Sequence, residues 1–123
     1  MTAPLSVAAM GSVIRAHRKA SGLSQKDLAK AAGVCLYPET KHPSFFQSIG
    51  KPLEPALLAV LAKNGWNSKD APVYVQSFEV ANLKALRKQS SVRLVQLLSN
   101  SGRPYDFAAA GNTQTYADMT TAA

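Results

Sequence analysis

A single cysteine, Cys35, stands in the whole chain, which excludes an internal disulfide and leaves no Cys/His cluster with the spacing of a zinc site. Long apolar runs are missing too. No stretch approaches the roughly 18 consecutive apolar residues of a membrane span. The opening MTAPLSVAAMGSV lacks the basic start and apolar middle of a secretory signal, so a soluble chain in a reducing, cytoplasmic compartment is expected. Acidic side chains are few, 7 against 14 basic ones, and the formal net charge is +7. Such a balance suits nucleic acid, a membrane surface or a phosphorylated substrate as partner, without choosing among them.

What is present is globular in composition. A hydrophobic content of 46% with 17% charged residues over 123 positions suits one ordinary domain with a core. The positive excess is uneven. Residues 1–33 hold Arg15, Arg18, Lys19, Lys26 and Lys30 against Asp27, whereas the remainder carries nine basic and six acidic side chains.

In that basic front, Val13, Ile14, Ala16 and Ala20 recur at helical spacing and predict a helix over 12–20. Ser21 and Gly22 end it. Ser24 and Asp27 in SQKD form a capping-box pattern for a second helix over 25–31 or 25–32, closed by Gly33. GLSQKDLAKAAGV resembles the first part of a Cro/repressor-type helix-turn-helix, two of its five helices. The resemblance implies core positions at Leu28, Ala29 and Val34 and a phosphate contact at Gln25. It assigns any nucleic-acid binding to residues 12–33, through Arg15, Arg18, Gln25 and Lys26. The base-reading helix should come next, but CLYPETKHP follows. Pro38 and Pro43 disfavour an interior helix there. A helical hairpin with a solvated basic face is the plainer reading.

From residue 34 the pattern changes to short β-rich runs between helical ones. VCLY (34–37), VYVQSF (73–78) and VRLVQLL (92–98) read as strands; LEPALLAVLAKNG (53–65) and VANLKALRKQ (80–89) read as helices. Leu57, Leu58 and Leu61 share one side of the first helix, and Gly65 ends it. This β-α-β-α-β order predicts an α/β fold with a parallel sheet, either open and doubly wound or part of an eight-stranded barrel. Chemistry then belongs at the C-terminal strand ends: Glu39, Thr40 and Lys41, then Gln76, Ser77 and Phe78, then Gln96. On spacing alone, Glu39 and Lys41 are a surface ion pair, and His42 is a loop residue. The same pair, on one side of an extended segment, suits a divalent cation at Glu39 and a phosphate at Lys41.

YPETKHPSFFQSIGKPLEPALLAVLAKNGW, VYVQSFEVANLKALRK and VRLVQLLSNSGRPYDF resemble consecutive segments of glycerophosphodiester phosphodiesterases, barrel enzymes that cleave phosphate esters with a bound calcium or magnesium ion. The resemblance runs over about 34–123. It implies a partial (β/α) TIM barrel of about three βα units behind an N-terminal helical hairpin, divided as 1–33 and 34–123. It also implies Glu39 as a metal ligand, Lys41 facing phosphate, Phe78 lining the glycerol pocket and a glycerophosphodiester substrate. The family's first histidine motif has one imitation, AHRKASG, with His17 in place but Lys19 where the glycine belongs. The expectation is therefore a truncated phosphodiesterase-like chain with one metal ligand of three, inactive alone and prone to self-association through exposed sheet edges. Tyr105, Tyr116 and the tail from Ala108 suggest no chemistry.

Overall fold

The computed structural model describes residues 7–24, 27, 28, 31 and 33–121. They fall into two compact units, Met1–Cys35 and Leu36–Ala123.

In the first unit, helix α1 spans Val7–Ala20. It begins earlier than the predicted 12–20, because Ala8, Ala9 and Met10 are good helix formers and carry the helix across Gly11. The Leu23 amide bonds the Arg18 carbonyl (3.1 Å), and the Arg18 guanidinium donates to the Leu23 carbonyl (2.6 Å), closing the turn. The capping box is formed: the Asp27 amide donates to Ser24 Oγ (3.1 Å), and the Ser24 amide donates to Asp27 Oδ2 (3.3 Å). Asp27, Leu28 and Ala31 are helical, while the rest of the predicted 25–32 helix lies outside the described residues. Gly33 takes φ 64°, the left-handed geometry expected of a helix-closing glycine.

The second unit is α/β. Its elements are α2 (Pro43–Ser48), α3 (Leu53–Lys63), β1 (Tyr74–Ser77), α4 (Val80–Gln89), β2 (Arg93–Gln96), α5 (Tyr105–Ala109) and α6 (Tyr116–Thr121). Strands β1 and β2 pair in parallel, with Tyr74 opposite Arg93 and Ser77 opposite Gln96. The predicted strand over 34–37 is instead an extended segment joined to β1 by two isolated parallel bridges, Leu36 to Val73 and Glu39 to Gln76. Pro38, between them, has no N–H to give a continuous ladder. The segment still exchanges backbone bonds with β1: the Tyr74 amide donates to Leu36 O (2.9 Å), Gln76 to Pro38 O (2.9 Å), and Thr40 to Gln76 O (3.0 Å).

Alternation along β1 decides which face is covered. Val73, Val75 and Ser77 are fully buried beneath the helices, while Tyr74 and Gln76 on the other face are partly exposed. The core joins Val73 and Val75 to Val92, to Leu61 of α3 and to Leu83 and Leu86 of α4, with Leu36, Leu57, Leu58, Trp66 and Leu94 around them. Leu57, Leu58 and Leu61 are the three leucines predicted to share a helix side. At one end of the other face, Tyr37 packs on Tyr74 with centroids 5.7 Å apart, and the Arg93 guanidinium lies 4.2 Å from the Tyr74 centroid.

Candidate functional site

The C-terminal ends of the strands open into a cleft of about 300 Å³ within the second unit, lined by Glu39, Thr40, Lys41, His42, Pro43, Ser77, Phe78, Glu79, Arg103, Tyr105 and Tyr116. Glu39 and Lys41 from one stretch of sequence and Phe78 from another therefore meet around one space.

Buried polar contacts fix the segment that carries Glu39 and Lys41. Thr40 is buried between them, and its Oγ1 accepts 2.7 Å from Nδ2 of Asn82, on the buried side of α4. Ser77 Oγ donates to the Thr40 carbonyl (3.3 Å) and accepts from the Glu79 amide (3.1 Å), tying the extended segment and the end of β1 to the start of α4. Because side chains alternate, burying Thr40 directs Glu39 and Lys41 to the opposite side. There Lys41 Nζ lies 3.7 Å from Glu39 Oε2, with the lysine side chain 73% exposed and the glutamate 22%. The ion pair read from spacing is present, and it stands at the cleft.

His42 follows in left-handed geometry (φ 50°, ψ 49°) as the residue before α2. Pro43, taken from sequence as a helix breaker, is the first residue of that helix and is buried. At this position its missing N–H costs nothing, and its fixed φ favours the helix. The Ser44 amide and hydroxyl both donate to Oε2 of Glu79, the amide at 3.1 Å. Glu79 is 3% exposed, and its Oε1 has no hydrogen-bond partner among the described residues.

Phe78 presents its ring to the cleft and meets Tyr116 edge-on, with centroids 6.1 Å apart. The Gln96 side-chain Nε2 donates to the Phe78 carbonyl at 3.0 Å, which gives that strand-end residue a supporting role. Tyr116 is buried, and its phenol pKa is raised, chiefly by burial and then by the negative charges of Asp106 and Glu79. Arg103, Tyr105 and Tyr116 also line the cleft. The sequence reading gave the two tyrosines no role and overlooked Arg103, because only the turn after β2 brings them back to residues 39–42.

The other predicted site residues lie elsewhere. His17 is an exposed residue of α1 in the first unit, as is Arg15, while Arg18 is half-exposed and bonded to Leu23. Gln25 and Lys26 lie outside the described residues. Where a repressor-type fold would continue into its reading helix, this chain has the extended segment bonded to β1, so the DNA-binding alternative loses the element that would carry specificity.

The calcium or magnesium ion implied by the resemblance requires several oxygen donors, six to eight for calcium. Among the described residues, no group of three or more His, Cys, Asp or Glu side chains is placed to hold a metal. Glu39, the expected ligand, has the Lys41 ammonium as its neighbour. This donor set does not fit the ion.

Comparison with curated proteins finds a glycerophosphodiester phosphodiesterase of Haemophilus influenzae, 33% identical over 81 residues, which are 61% of this chain and 22% of the relative. The chain thus spans about a fifth of the length of the curated relative it matches. No protein-family model matches the chain. No solved structure matches it.

Proposed function

We propose that the second unit is a slice of a glycerophosphodiester phosphodiesterase-like (β/α) barrel whose cleft binds glycerophosphodiesters, and that this chain alone hydrolyses them negligibly. One observation carries the reading: Glu39, Lys41 and Phe78 line a single cleft at the C-terminal ends of parallel strands. In such folds, ligands sit at that end. The partial similarity to the Haemophilus influenzae enzyme supports the same substrate class.

The proposed roles follow from the side chains. Lys41 supplies a mobile ammonium to phosphate oxygens, with Glu39 holding it at the cleft. Phe78 and Tyr116 form an apolar corner against the carbon skeleton of the glycerol. Hydrolysis needs more than binding. One histidine, His42, lines the cleft, and each absent acid/base group costs about 100- to 10,000-fold in rate. Without a fitting metal donor set, the developing phosphate charge also lacks a divalent counter-ion.

The test is an NMR titration of the 15N-labelled chain with sn-glycerol 3-phosphate, alongside an assay for its release from glycerophosphocholine. Shifts confined to the cleft, weakened by Lys41→Ala, with release at the buffer rate, are expected. Unmoved cleft resonances would sink the binding reading, and release abolished by Glu39→Gln would overturn the inactivity.

A further inference from the structure

Lys41 and Arg103 are the two side-chain cations of the cleft, and they differ in what already holds them. Lys41 has a carboxylate beside it. Arg103 has no carboxylate within ion-pairing distance among the described residues, although Glu39 and Glu79 line the same space. Its hydrogen bond is to a neutral group: Nη1 donates to the Asn112 carbonyl at 3.1 Å. A guanidinium has five N–H donors in a planar fork, so most remain for something else.

The backbone around Arg103 is fixed on both sides. The Tyr116 amide donates to the Gly102 carbonyl (3.0 Å), and Pro104 is fully buried as the residue capping α5. The arginine, itself exposed, leaves from an anchored three-residue turn, and its tip is held nine positions further on by that one solvent-exposed bond. A braced fork loses less entropy when it binds than a free lysine stem, and its geometry matches two oxygens of one phosphate. Of the cleft's acidic groups, Glu39 faces Lys41, and Glu79 is buried with one oxygen taken by both Ser44 donors and the other without a hydrogen-bond partner among the described residues; neither lies within ion-pairing distance of Arg103.

We propose that Arg103 is the principal phosphate-binding residue of this cleft, gripping the two non-bridging oxygens of a phosphodiester monoanion, with Lys41 as the second cation of the same cleft. The inference rests on the cleft being a phosphodiester site. It adds a residue that the family resemblance did not assign, and it ranks that residue above Lys41.

The experiment titrates the full chain with sn-glycero-3-phosphocholine at fixed ionic strength and follows cleft amides by NMR. Arg103→Gln keeps an N–H for the Asn112 carbonyl but removes charge and fork. It should weaken binding about 10- to 100-fold, the loss expected for a charge-assisted bidentate contact. Arg103→Lys should recover only part, Lys41→Ala should lose less, and Lys88→Gln, at the exposed end of α4, should bind as wild type. Matching thermal melts and unchanged core resonances would show that the variants fold. If the wild type binds in the cleft and Arg103→Gln binds equally well, or Lys41→Ala loses more, the assignment of Arg103 is wrong while the binding reading stands. If the wild type leaves the cleft amides unmoved, both fall together.

Discussion

Tyr116 is where burial and charge act on one hydroxyl. Its phenol pKa is raised because ionisation would place a charge in a buried position, near the carboxylates of Asp106 and Glu79. A pKa higher in the folded than in the unfolded chain means that the folded state holds the proton more tightly. The corresponding stability is present below the unfolded value near 10 and is lost as pH rises through the higher folded value. Urea midpoints measured from pH 8 to 11 should therefore fall more steeply for the wild type than for Tyr116→Phe, which keeps the ring against Phe78. Parallel curves would disprove the coupling. Asp118 has the opposite sign. Hydrogen bonds from the Thr115 amide and hydroxyl lower its carboxyl pKa from 3.8, so its contribution exists above the unfolded value and disappears as pH falls below it. Thr115→Ala, which keeps the amide bond but deletes the hydroxyl, should remove only the hydroxyl's share of that acid-side loss, and faster amide exchange in α6 would report it.

At the scale of elements, α4 shows how a helix can be capped from far away. Its flanking residue, Glu79, makes no side-chain cap bond. Instead, Asp106 of α5 accepts from the amides of Val80 (2.9 Å) and Ala81 (2.7 Å). A carboxylate at a helix start satisfies orphan donors and complements the helix dipole. Asp106→Ala should therefore cost about 1–2 kcal/mol in urea unfolding. Asp106→Asn, which keeps an acceptor, should cost less; no change in either variant would show the cap to be idle. The helices that bury leucines at regular spacing, α3 and α4, were legible from residue pattern, as were β1 and β2. The short helices were not. Pro43 breaks a helix interior by its chemistry yet begins α2, and the capping pattern Thr115 to Asp118 ahead of α6 spans too few residues to stand out by periodicity. Nor could sequence spacing expose the Asp106 cap, since 26 positions separate it from Val80.

On the scale of the whole molecule, the position of the cleft was legible, and the lining that residues 103–116 contribute was not. Parallel strands place chemistry at their C-terminal ends, which pointed to Glu39, Lys41 and Phe78. Arg103 and Tyr116 come from a turn and a helix start that no periodicity marks. The same parallel arrangement leaves an unpaired margin. Among the described residues β2 pairs with β1 alone, so the backbone groups on its other edge are free to template another strand. The face away from the core carries Tyr74 and Gln76 and, by register, Val95 opposite Gln76. An edge bordered by an aliphatic side chain at that position favours pairing with a second copy, which would lengthen the sheet and cover both margins at once. Sedimentation velocity should show the chain associating as concentration rises. Val95→Lys, which places a charge on the edge strand without entering the buried face, should shift the distribution toward monomer while leaving the thermal midpoint nearly unchanged. A chain that remains monomeric at every concentration would show that this edge is protected, and association untouched by Val95→Lys would place the contact elsewhere on the surface.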